Sequence, residues 1–148
     1  MPEPAAEGYA GLRLDNQLCF PLYAASREII RLYRPFLEEL DLTYTQYITM
    51  MVLWEEEEIS VKQLGRRLYL DSGTLTPLLK SLEAKGYISR SRKPDDERVV
   101  LARLTEAGRA LRDRALSVPA QMRACVRLSP EEAAVLYKIL YKLLGEDV

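Results

Sequence analysis

The chain has 148 residues, 48% apolar and 29% charged, with a net charge of −1, the proportions of one globular domain that buries a core without covalent staples. It holds no histidine and only two cysteines, which removes a four-ligand zinc site within one chain and the hydrolase arrangements that need an imidazole base. No apolar run approaches the roughly 20 residues that cross a bilayer and no stretch has the form of a secretory signal, so the composition predicts a soluble, cytoplasmic protein without metal, cofactor or membrane partner.

Residues 1–11, MPEPAAEGYAG, read as a disordered arm. Residues 12–42 form an N-terminal helical region, with Leu22, Ala25, Ile29, Leu32, Tyr33, Phe36 and Leu40 along one side of a helix that Pro35 perturbs. Pro21 leaves two starts open: before Cys19, where the ring would meet the carbonyl of Gln17, or at Pro21 itself, with the cysteine just outside. Three capping boxes follow, Thr43-x-x-Gln46, Ser60-x-x-Gln63 and Ser129-x-x-Glu132. Each precedes an apolar stripe: Tyr44, Tyr47, Ile48, Met51 and Val52; Val61, Leu64 and Leu68; Val135, Leu136, Ile139, Leu140 and Leu143. A fourth stripe, Leu75, Leu78, Leu79 and Leu82, starts after Asp71-Ser72 and ends at Lys85-Gly86. Residues 87–90 and 99–104 flank the Pro/Asp-rich turn RKPDDER and predict a charged hairpin. Helices resume at Thr105 and are bent or interrupted near Pro119.

Three helices followed by a basic hairpin is the winged helix-turn-helix order, so the predicted fold is mainly α, with a winged module over residues 43–104. The helical flanks 12–42 and 105–148 are apolar enough to need a second copy of the chain. Charge supports the module. Residues 60–104 carry ten Lys/Arg against five acids, a basic block inside an acidic protein and the footprint of a polyanion binder. With the leucine stripe turned to the core, Gly73, Thr74, Thr76, Pro77 and Lys80 of the third helix of the module face solvent, next to the cap candidates Asp71 and Ser72. Small hydroxyls there let a helix approach phosphates and base edges. Lys93 and Arg98 sit at the hairpin tip, where an arginine enters the minor groove, and Asp96 is placed to fix the Arg98 guanidinium through a bidentate pair.

The stretches LYLDSGTLTPLLKSLEAKGYISR and DDERVVLARLTEAG resemble the recognition helix and wing of the MarR-type winged-helix transcription regulators. Joined to LDNQLCFPLYAASREI and LTYTQYITMMVLWE, the likeness is to the organic hydroperoxide resistance repressors of that family, in their two-cysteine form, over roughly residues 12–145. The resemblance implies a homodimer on palindromic double-stranded operator DNA, released when organic hydroperoxides oxidise a cysteine. It also implies that Asp71, Ser72, Gly73, Thr74, Thr76, Pro77 and Lys80 form the DNA-facing end of the recognition helix. Carried onto this chain, it makes Cys19 the peroxidatic thiol. Tyr33 and Tyr44 become the phenols that bond its sulfur, one of them from the other subunit, with Tyr23 a further tyrosine near the site. It also makes Cys125 the thiol that resolves oxidised Cys19 in an intersubunit disulfide, unless a small cellular thiol does so. Neutral phenols are suitable partners, since each hydroxyl donating to a charged sulfur contributes on the order of 1.5–3 kcal/mol. Two other functions remain open on sequence: a ligand-responsive repressor of the same family with incidental cysteines, and a thiol peroxidase, which has no use for a basic hairpin.

Overall fold

A computed structural model describes residues 8–146, in two units that meet at Leu116/Ser117. The first contains α1 (Cys19–Glu38), α2 (Tyr44–Glu56), β1 (Glu58–Ser60), α3 (Val61–Leu68), α4 (Ser72–Ala84), β2 (Ile88–Lys93), β3 (Asp96–Leu104) and α5 (Glu106–Ala115). The second contains α6 (Val118–Cys125) and α7 (Pro130–Leu143). Of the predicted arm, residues 1–7 lie outside the described residues. Tyr9–Leu12 instead folds into a 3-10 turn, held by Asn16 Nδ2 donating to Ala10 O (2.8 Å) and Gln17 Nε2 donating to Gly11 O (2.6 Å).

The helix starts follow the capping residues. Thr43 and Ser129 form complete boxes, with Gln46 N and Glu132 N donating to the cap hydroxyls and Gln46 Oε1 and Glu132 Oε2 accepting from the cap N–H groups. Ser60 accepts from Gln63 N at 3.2 Å, but its hydroxyl donates to Gln63 Oε1 at 2.7 Å, so this box is only half made. Ser60 is also the last residue of β1, opposite Leu101. Gly86, at φ 78°, supplies the left-handed turn after α4 that a side chain would resist.

Helix α1 begins at neither of the two starts the sequence left open. It begins at Cys19, which puts Pro21 in the first turn, where its missing N–H is an orphan anyway, and leaves Gln17 extended beyond the helix at ψ 113°. The break near Pro119 occurs as expected: α5 ends at Ala115 and α6 starts at Val118.

The core of the first unit lies under the leucine stripe of α4, with Leu75, Leu79 and Leu82 at or below 1% exposure beside Met50 and Leu53 of α2 and Leu64 of α3. The sheet order is β1-β3-β2, all antiparallel. The short strand β1 was not predicted; EEEEIS offers one apolar residue, Ile59, and becomes a strand only because β3 lies beside it. Leu37 and Leu40 tie the end of α1 to this core, whereas residues 19–28 are exposed throughout. In the second unit α7 has no buried residue; Val135, Leu136, Tyr137, Ile139 and Leu143 are all exposed.

Candidate functional site

The predicted residues fall into two groups, of which the fold brings the first together and the second only in part. The first is the outer surface of α3, α4 and the wing. Asp71 is the N-cap of α4, its Oδ1 accepting from Thr74 N at 2.8 Å, so its carboxylate shapes the helix start. Ser72, Gly73, Thr74, Thr76, Pro77 and Lys80 are exposed, while Leu75, Leu78, Leu79 and Leu82 are buried, as the stripe requires. Thr76 Oγ1 donates to Ser72 O at 2.8 Å. Pro77 stands sixth in α4, within the second turn, and therefore deprives the exposed Gly73 carbonyl of its helical donor.

The wing turns at Pro94-Asp95 between β2 and β3. Arg98 Nε donates to Asp96 Oδ1 at 3.0 Å and the Arg98 backbone N–H reaches the same oxygen at 3.2 Å, with Nη2 3.4 Å from Oδ2. The expected pair thus forms, and it holds the Asp96 carboxyl below the usual range, through the side-chain bond first and the backbone bond second. The Arg98 side chain is 91% exposed and projects from the ribbon.

Most basic residues of the block are neutralised inside the chain. Arg67 pairs with Glu55 and Glu56, Lys85 with Asp41, Arg90 with Glu83, Lys93 with Asp95, and Arg103 with Glu58. Lys62, Arg66 and Lys80 are exposed and have no acidic partner among the described residues. Lys62 and Arg66 fall one turn apart on α3 and, with Tyr69, Ser72 and Arg98, line a cleft of about 830 Å³ between α3, the start of α4 and the wing. Sequence reading missed these two as surface residues of the site. Their i, i+4 spacing on the polar side of a short helix was the available signal.

The second group concerns Cys19, exposed in the first turn of α1, with Tyr23 one turn further on. Tyr33 and Tyr44 pack against each other at 4.9 Å between ring centroids, and Tyr47 lies 5.8 Å from Tyr33. Burial pushes all three hydroxyls above the ordinary tyrosine range, so they stay protonated donors at neutral pH. The expectation of one phenol from each copy does not fit this geometry. Tyr33 is 14 residues from Cys19 on one helix, about 21 Å at 1.5 Å per residue, and Tyr44 sits beside Tyr33. Neither reaches the sulfur of its own chain. Cys125 ends α6 in the second unit and is partly exposed.

Three packed helices, a recognition helix with a bare hydroxyl-rich end and a ribbon carrying a projecting arginine define a DNA-binding winged helix-turn-helix protein. The comparisons agree. The family profile "Transcriptional regulator SarA/Rot" matches residues 31–115. The "Organic hydroperoxide resistance transcriptional regulator" of Bacillus subtilis is 47% identical over 133 residues, covering 90% of each chain. Among solved structures, reduced AbfR bound to DNA is 34% identical with a TM-score of 0.75, over 90% of this chain and 94% of that one. A disulfide-formed AbfR is 35% identical with a TM-score of 0.64, over 90% and 93%. The chain belongs to the MarR-type winged-helix transcription regulators, in their organic hydroperoxide resistance group, and is a regulator, not an enzyme.

Proposed function

We propose that the protein is a homodimeric, redox-sensing repressor in which Cys19 of one copy is bonded by Tyr33 and Tyr44 of the other. The observation that carries this reading is the separation along α1: an exposed thiol at one end and a protonated phenol pair about 21 Å away at the other form one site only when two copies cross. The exposed apolar side chains Leu14, Leu18, Phe20 and Leu22 near the thiol, and those of α7, give each copy surface to bury. The relatives' names, an organic hydroperoxide resistance regulator and a disulfide form of AbfR, support the same inducer and chemistry.

In the proposed reaction the Cys19 thiolate attacks one oxygen of an organic hydroperoxide. An S–O bond forms and the O–O bond breaks; the transferred oxygen keeps its hydrogen, giving a sulfenic acid, and the alkoxide leaves as the alcohol on taking a proton from water. The phenols lose the anion they were bonded to. A thiol, Cys125 of the partner copy or a small cellular thiol, then condenses with the sulfenic acid to give a disulfide and water. Each α4 is linked to the junction through α1 and α2, so the two recognition helices leave the spacing of about 34 Å that successive major grooves demand. On DNA, the bare end of α4 with Lys80 enters the major groove, Arg98 enters the minor groove, Lys93 and Asp96 support the wing, and Lys62 and Arg66 hold phosphate.

The test is operator binding titrated with cumene hydroperoxide. The expected result is release of the wild type at about one oxidant per Cys19 and retention by Cys19→Ser. A Cys19→Ser protein that still lets go of DNA on oxidation removes the sensor reading and leaves a regulator answering to another ligand.

A further inference from the structure

Gly73, Thr76, Pro77 and Lys80 stand at i, i+3, i+4 and i+7 on α4, so they share its exposed face, with Leu75, Leu78, Leu79 and Leu82 buried behind them. Two chemical facts meet on that face. Pro77 has no N–H, so the helical bond that would run to Gly73 O does not form, and the ring in place of the hydrogen favours a carbonyl tilted toward solvent. Gly73 has no side chain, so its exposure is that of the main chain itself, and nothing of its own holds another molecule off the oxygen. The neighbouring carbonyls are engaged: Asp71 O accepts from Leu75 N at 3.0 Å, and Ser72 O accepts from Thr76 Oγ1 at 2.8 Å. The proline ring is exposed, so the core gains nothing from a residue that weakens the helix.

We propose that the Gly73 carbonyl is a specificity-determining acceptor: on DNA it takes a hydrogen bond from an exocyclic amino group in the major groove, N4 of cytosine or N6 of adenine. A carbonyl only accepts, so it favours those edges and rejects O6 of guanine and O4 of thymine, which are acceptors themselves. Lys80 on the same face only donates, and the carbonyl adds the opposite hydrogen-bond sense beside it. Pro77 is the positioning residue of this contact, since its missing N–H keeps the oxygen open. Glycine at 73 lets the base edge come close. The inference rests on the reading of α4 as the helix that enters the major groove.

In the experiment the full-length reduced protein and its Pro77→Ala variant each select duplexes from a random-sequence pool. The wild-type site is then rebuilt with single bases that lack the amino group, purine for adenine or 2-pyrimidinone for cytosine, and both proteins are titrated on each duplex. Alanine restores the N–H that closes the helical bond, so the variant is expected to gain in Tm and stays folded. Wild type is expected to lose about five- to tenfold in affinity when the amino group is removed at one position of each half-site. Pro77→Ala is expected to lose less than about twofold there and to accept other bases at that position. The slope of log K against log salt stays the same in both, because no charge has changed. A variant that keeps every wild-type base preference overturns the proposal, as does an equal loss in both proteins when the amino groups are removed. A preference altered across the whole half-site assigns Pro77 to the shape of the helix and overturns it too. A pool from which neither protein enriches any duplex defeats the DNA-reading function itself, a result distinct from all of these.

Discussion

Arg98 depends on Asp96 for its pose, and the dependence can be tested by pH. The carboxyl is held below its ordinary value, so the wing clamp is fully present above the usual carboxylate range near 3.9 and is lost only as pH falls through the lowered value. Operator binding is therefore expected not to titrate through this pair between pH 5 and 8. Asp96→Asn weakens binding throughout that range by about three- to tenfold, and Arg98→Ala by more, as measured by fluorescence anisotropy on operator DNA. The tyrosines have the opposite sign. Their raised values keep Tyr33, Tyr44 and Tyr47 as O–H donors until pH rises past the ordinary 10, so the proposed thiolate bonds do not fail from this side at neutral pH. Asp96-x-Arg98 was legible because the partners are two residues apart in sequence, at the start of one strand. Tyr33 and Tyr44 were paired only through the family likeness, and the contact with Tyr47 was not legible at all, because the cluster joins residues of different helices.

Elements owe their ends to local chemistry and their neighbours to shape. Ser129→Ala removes the hydroxyl that accepts from Glu132 N at 3.2 Å and is expected to cost about 1 kcal/mol. The loss is expected to show as reduced helicity and a lower Tm. Gly108 answers to packing. A Cβ there would meet Tyr87 O at 2.1 Å and Leu104 Cδ1 at 2.9 Å, while Gly108 O accepts from Trp54 Nε1 at 2.9 Å. Gly108→Ala is expected to destabilise by about 1–3 kcal/mol, seen in a denaturant midpoint that falls with little change in slope. The capping boxes at 43 and 129 could be read from four consecutive residues. The need for glycine at 108 could not, because the groups that crowd it lie on the strands and the turn before β2.

The charge of the molecule is sorted by its fold. The basic block of residues 60–104 announces a polyanion partner, yet six of its cations are matched by acids of the same chain, several from outside the block. Lys62, Arg66 and Lys80 keep no acidic partner among the described residues, and the Arg98 side chain, though paired with Asp96, stays 91% exposed; these are the charges proposed to meet DNA. Lys62→Gln and Arg66→Gln are each expected to weaken specific and non-specific DNA alike and to reduce the slope of log K against log salt by about 0.9. Lys85→Gln, which removes a pair with Asp41 at 3.2 Å, leaves that slope unchanged.

By itself the sequence determined the order of elements, the caps, the leucine stripe of α4, the basic wing and the family, because each is written in residues a few positions apart and rests on helical or strand period. Only the tertiary structure decided that β1 is a strand, which cations stay unmatched, where α1 starts around Pro21, and that Tyr33 and Tyr44 stand together far from the thiol of their own chain. Those outcomes depend on distances between segments remote in sequence, which side-chain type and spacing do not encode until packing brings the segments together.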